Sequence, residues 1–92
     1  MLEVVLSNRF KRDLKRAVRR GRDTALLEKT VNTLAERRPL PESSRDHALT
    51  GDWTGYRECH IQPDWLLIYK VHEEELLLLL MRTGTHADLF ES

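Results

Sequence analysis

The hydrophobic residues of this chain change rhythm once, close to residue 45. Before that point they recur at three- and four-residue intervals, the spacing of a helix with one buried face; after it they alternate or run together, as strands do. The short β-branched run at 2–6, Leu-Glu-Val-Val-Leu, predicts an opening strand. Ser7-Asn8 supplies an N-cap for a helix whose inner positions are Phe10, Leu14, Ala17 and Val18, and which stops at Gly21. Asp23 or Thr24 caps a second helix with Leu26, Leu27, Thr30, Val31 and Leu34 inside, ending near Arg37-Arg38-Pro39 because proline disfavours helix at the residue before it. After a loop at 39–44, the pattern predicts strands at 46–50, 54–61, 65–71 and 75–82, with turns at Gly51-Asp52, Gln62-Pro63-Asp64 and Glu73-Glu74. Thr83-Gly84-Thr85 is expected to break the last strand, and Thr85 to cap a final helical turn through Leu89-Phe90. The expected fold is α+β: an N-terminal strand and two-helix hairpin packed on an antiparallel β-sheet meander, with a short C-terminal helix.

Ninety-two residues leave room for one domain, over 1–92. The longest purely apolar run, Leu76 to Met81, falls far short of the ~20 residues of a membrane-spanning helix. Lys11, Arg12 and Asp13 interrupt any apolar stretch near the start, and the single Cys59 fits a reducing compartment. A soluble cytoplasmic protein with no membrane partner is the expectation. Cys59 itself reads as a buried small hydrophobe.

The formal net charge is zero, but it is unevenly spread. Residues 1–45 carry 12 Lys and Arg against 6 Asp and Glu, and residues 46–92 carry 3 against 9. A basic first half, with Lys11, Lys15, Arg16 and Arg19 on the first helix, suits a polyanionic partner. A solvated basic helix face explains the same charge equally well.

Pairing the predicted strands through their turns brings polar residues together. A turn at Glu73-Glu74 sets Trp65 opposite Arg82, one at Gln62-Pro63 sets His60 opposite Trp65, and one near Asp52-Trp53 sets His47 opposite Glu58. Opposed residues share a face, so His47, His60, Trp65 and Arg82 are expected on one side, flanked by Asp64 and His86. A slip of one residue would move part of this set to the other face. Histidines transfer protons near neutral pH, arginine clasps phosphate through a planar fork, and aromatics such as Trp65 and Phe90 stack splayed bases. These are the parts that metal-free RNA cleavage needs. Taken singly, each has a structural explanation: Trp65 as core, Arg82 as an ion-pair partner, His47 and His60 as hydrogen-bonded surface residues. No spacing matches a metal site or a phosphate-cradling glycine loop, and no cofactor is expected.

The runs Asp46-His47-Ala48-Leu49-Thr50-Gly51, Gly55-Tyr56-Arg57-Glu58-Cys59-His60, Pro63-Asp64-Trp65-Leu66-Leu67-Ile68-Tyr69 and Arg82-Thr83-Gly84-Thr85-His86-Ala87-Asp88-Leu89-Phe90 together resemble the YafQ-type toxins of the RelE/ParE superfamily. They cover about half the chain, with no departure from the motif. The resemblance implies a RelE-like, microbial-RNase-like fold and a ribosome-dependent endoribonuclease that cuts mRNA in the ribosomal A site. It also implies a cognate antitoxin as partner. By position it assigns acid, base and substrate-positioning roles to His47, His60, Asp64 and His86, phosphate stabilisation to Arg82, and aromatic contacts to Trp65 and Phe90. His86 would be the general acid, Asp64 with His60 the base or its support, and His47 would position the phosphate. Products would be a 2′,3′-cyclic phosphate and a 5′-hydroxyl, and the basic helix would dock on ribosomal RNA. Two alternatives remain: a non-catalytic ParE-like inhibitor of gyrase, and a co-repressor that reaches operator DNA through its antitoxin.

Overall fold

The computed structural model describes residues 1–91. Strand β1 (Glu3–Leu6) leads into helix α1 (Asn8–Arg19), followed by α2 (Thr24–Ala35), β2 (His47–Ala48), β3 (Arg57–Gln62), β4 (Trp65–His72), β5 (Leu77–Gly84) and α3 (His86–Phe90). Two single turns of 3₁₀ helix, Glu42–Ser44 and Gly51–Trp53, occupy the loops on either side of β2. The strand order is β1-β5-β4-β3-β2. The last four strands form the expected antiparallel meander, and β1 lies parallel beside β5, which makes the sheet mixed. The fold is therefore α+β, as the hydrophobic rhythm indicates.

Local chemistry explains the helix ends. The Ser7 hydroxyl accepts from the Phe10 amide at 2.9 Å and donates to the Met81 carbonyl at 2.7 Å, so one side chain both caps α1 and pins it to β5. Asp23 caps α2 by accepting from the Ala25 amide. At the other end of the chain, Thr85 and Asp88 form a reciprocal capping box that starts α3.

Helices α1 and α2 cover one face of the sheet. Between them lie Phe10, Ala17, Leu27, Cys59, Trp65, Leu67, Tyr69, Leu78 and Leu80. A second, smaller cluster on the opposite face comprises Leu66, Ile68 and Leu89, walled by Leu49, Trp53, Tyr56, Met81 and Phe90. Burial pushes the Cys59 thiol up to about 12, with the Asp46 and Glu58 carboxylates adding to the shift, so it is an inert core residue at neutral pH.

The register differs from the expected one at two places. Ladder pairing between β3 and β4 slips after His60, so that His60 faces Leu66 and Gln62 faces Trp65. Between β4 and β5 a second irregularity falls at Ile68/Tyr69, and Arg82 faces Ile68 rather than Trp65. The β4–β5 connection is also longer than a two-residue turn, with Leu76 at a positive φ of 54° and β5 starting at Leu77. Nor does Thr83-Gly84 break β5, which continues through Gly84. Each bulge inserts a residue on one strand only and shifts everything beyond it.

Candidate active site on the open sheet face

The observed pairing sets up two rows on the face away from α1 and α2. One crosses four strands as His47, Glu58, Ile68 and Arg82; the next runs His60, Leu66 and Gly84. At ~4.8 Å per strand, His47 and Arg82 stand roughly 14 Å apart along their row. The pairing of His47 with Glu58 matches the sequence expectation, and His47, His60 and Arg82 do share a face. Trp65 does not. It is 0% exposed and packs in the core beneath the helices, because the slip after His60 turns it to the other side. Its expected role in substrate contact is thereby corrected to a structural one; it carries the Arg22 guanidinium at 5.4 Å and leaves its indole N–H unpaired.

Sequence reasoning placed Glu58 opposite His47 but gave it no role. It is 6% exposed, and the Nε2 atoms of His47 and His60 lie 3.7 and 3.9 Å from its Oε1. Each imidazole is held from behind by a backbone carbonyl: His47 Nδ1–H donates to Arg45 (2.6 Å) and His60 Nδ1–H donates to Pro63 (3.2 Å). A carbonyl can only accept, so in the neutral rings the proton resides on Nδ1 and the Nε2 lone pair is free. Two bases therefore flank one carboxylate that can stabilise either as imidazolium. Alternation along β3 carried the signal, since Glu58 and His60 are two residues apart on a strand.

Asp64, in the β3–β4 turn, has an exposed carboxylate gripped by Arg22 through Nη1 (3.1 Å) and Nη2 (3.2 Å). The Arg22 hydrogen bonds hold it below the usual carboxylate range, which makes it a weak base. Its grip does fix the turn whose Pro63 carbonyl orients His60.

Across the apolar cluster of Leu66, Ile68 and Leu89 lies the second group of polar residues. Arg82 donates from Nε and Nη2 to Asp13 of α1 and lines a cavity of about 400 Å³ with Arg9, Asp52, Trp53, Asp88, Leu89, Phe90 and Glu91. His86 is exposed on the first turn of α3 and packs on Phe90, ring centroids 4.8 Å apart. Trp53, which carried no expectation, faces Arg9 at 6.0 Å and meets Tyr56 edge-on. The structure thus brings His47, Glu58 and His60 into one cluster and Arg82, His86 and Phe90 to its far side, rather than into a single contact network.

On α1, Arg16 is partly exposed and pairs with Asp13 through Nη2 at 2.9 Å. Lys11 and Lys15 are exposed, and Arg9, Arg12, Arg16, Arg19 and Arg82 line a cavity of about 310 Å³. Among the described residues, no three His, Cys, Asp or Glu are grouped so as to hold a metal ion, and no helix is long and apolar enough to cross a membrane.

The chain is similar to known proteins over nearly its whole length. The chain is 42% identical over 89 residues to the mRNA interferase toxin YafQ of Escherichia coli, covering 96% of this chain and 95% of that one. It superimposes on a metal-bound toxin from Helicobacter pylori with a TM-score of 0.93, at 43% identity over 98% of this chain and 100% of the other. Against YafQ in the E. coli DinJ–YafQ complex the TM-score is 0.88, at 41% identity over 98% of this chain and 99% of that one. Residues 2–91 match the model of the family described as the bacterial toxin of type II toxin–antitoxin system, YafQ. A sheet face with histidines flanking a carboxylate, an anchored arginine and this near-complete match lead to one assignment: the chain belongs to the YafQ family of type II toxin–antitoxin toxins.

Proposed function

We propose that this protein is an endoribonuclease that inhibits translation by cutting mRNA in the ribosomal A site, by metal-free acid–base chemistry. The observation that carries the reading is the pair of imidazoles with free Nε2 atoms on either side of the buried Glu58 carboxylate. A saturated binding surface has no need of such a group, since a buried carboxylate without a strong partner costs stability.

In this mechanism His60 takes the proton of the attacking 2′-hydroxyl, and Glu58 stabilises the imidazolium that results. His47 flanks the same carboxylate and positions the scissile phosphate. Asp64 acts by holding the turn beneath His60, through Arg22. Arg82 offsets the charge that builds on the phosphoryl oxygens, and His86 protonates the departing 5′-oxygen. The 2′-oxygen forms the new bond to phosphorus as the bond to the 5′-oxygen breaks, leaving a 2′,3′-cyclic phosphate and a 5′-hydroxyl. Phe90, beside His86, stacks a base of the substrate. Lys11, Lys15 and Arg19 on α1 contact ribosomal RNA through phosphates.

The partner is a cognate antitoxin, as for the E. coli YafQ crystallised with DinJ. An apolar groove beside the open edge of β1, lined by Val4, Leu6, Phe10, Leu14, Val18 and Leu80, supports a surface that an antitoxin segment would cover. Operator DNA would be reached through that partner. A ParE-like gyrase inhibitor is the second reading, and the histidine–carboxylate cluster speaks against it.

The test is cleavage of a reporter mRNA on translating ribosomes, mapped by primer extension. His60→Ala, Arg82→Ala and His86→Ala are each expected to reduce cleavage by about 10²–10⁴-fold. Undiminished cutting by all three would remove the nuclease reading.

A further inference from the structure

Asp13 has no place in the mechanism above, yet it is 4% exposed and among the few buried charges of the protein. Its carboxylate accepts four hydrogen bonds. Arg82 donates from Nε to Oδ2 (2.7 Å) and from Nη2 to Oδ1 (2.9 Å), Arg16 donates from Nη2 to Oδ1 (2.9 Å), and the Thr83 amide donates to Oδ2 (3.2 Å). An apolar side chain would fill this space at lower desolvation cost, so the carboxylate must be retained for what it holds.

What it holds is the guanidinium of Arg82, in one orientation. The side-on pair uses Nε and Nη2 and leaves Nη1 without a protein acceptor among the described residues. Arg82 lines both the cavity that carries Trp53 and Phe90 and the one ringed by Arg9, Arg12, Arg16 and Arg19. A free fork would sample many rotamers there, drawn towards Asp88 and repelled by four neighbouring cations. A second link leads onward. Arg16 shares Oδ1 of Asp13 and lies 3.7 Å from Oδ2 of Asp88, which caps the turn that carries His86. At Gly84, between these two points, an added Cβ would come within 2.9 Å of the Asp88 Cβ, so the β5–α3 corner is tightly packed.

We propose that Asp13 is a positioning residue for RNA cleavage: its carboxylate fixes the Arg82 guanidinium with Nη1 presented to the scissile phosphate. Through Arg16 and Asp88 it also references the turn of His86 to the same helix. The inference rests on the phosphate-stabilising role given to Arg82. Fixing the fork before substrate arrives removes its ordering cost from the transition state.

Four variants and one measurement on the native protein test this. Asp13→Asn keeps the shape but removes the charge and one acceptor. Its kcat for reporter mRNA on translating ribosomes is expected to fall ~10–100-fold with KM within ~3-fold, as for loss of a transition-state contact. Asp13→Glu is expected to recover part of that kcat. In an Arg82→Ala background, Asp13→Asn is expected to add no further loss, because the two act as one unit. Wild-type kcat in Asp13→Asn alongside an impaired Arg82→Ala overturns the proposal, as do additive losses in the double variant. A fully active Arg82→Ala overturns the role of Arg82, and the inference falls with it. Should Asp13→Asn not fold, the ¹⁵N-resolved Nε–H signal of Arg82 in the unaltered protein decides. Slow solvent exchange and hindered rotation support an anchored fork, and a freely rotating one refutes it.

Discussion

On the helix side of the sheet, β4 contributes Trp65, Leu67 and Tyr69, none more than 2% exposed, and the covering helices seal them from water. On the other side the same strand contributes Leu66 and Ile68, equally buried, but their neighbours on β2, β3 and β5 are His47, Glu58, His60 and Arg82. The first face is mostly apolar, its polar members Arg57 and Thr83 standing opposite Tyr69 and Leu67. The second keeps a narrow apolar floor with titratable groups on both banks. A single period-two pattern thus yields a face that stabilises the fold and a face that gathers titratable groups. The difference lies in the flanking strands, not in β4.

The contrast can be broken first at its aromatics. Trp65→Ala, in the sealed face, is expected to cost about 3–5 kcal/mol of stability in urea unfolding. Phe90→Ala, on the open face, should leave stability within about 1–2 kcal/mol while raising KM for cleavage by ~5–100-fold, the worth of one stacked base. Equal losses of stability would erase the distinction between the faces.

Next comes the carboxylate on the open face. Glu58→Gln is expected to lower cleavage about 10²-fold with stability unchanged or raised by up to ~1 kcal/mol, because a desolvated charge is removed. Normal cleavage by a folded Glu58→Gln protein would strip the cluster of its proposed chemistry.

The smallest effect belongs to the rim. Arg20, the Thr85 cap and Arg16 hold the Asp88 carboxyl well below the usual carboxylate range. Its folded pKa lies under its unfolded one, so its stabilisation is complete above the unfolded value near ~3.9 and is lost as pH falls through the folded value. Asp88→Asn should therefore lower stability by about 1 kcal/mol at pH 7, with the gap to wild type closing below about pH 4. A gap that persists in acid would mean that the charge contributes nothing.

Much of this was legible in the residues. Helical spacing gave α1 and α2, Ser7, Asp23 and Thr85 announced their caps, and the strand runs gave the meander within a few residues at each end. The motif located His47, His60, Arg82 and His86, and the facing of His47 and Glu58 followed from one short turn. The misplacement of Trp65 came from the bulges, which no side chain marks.

The chain's own order of polar and apolar residues settled local conformation, because capping, helical spacing and strand alternation are decided within a few neighbours. It could not settle which distant groups would meet. That Asp13 of α1 would clasp Arg82 of β5, and that Arg22 would take Asp64, depended on register and helix packing. Those are fixed only when the core closes, since one inserted residue in a strand reverses every side chain beyond it.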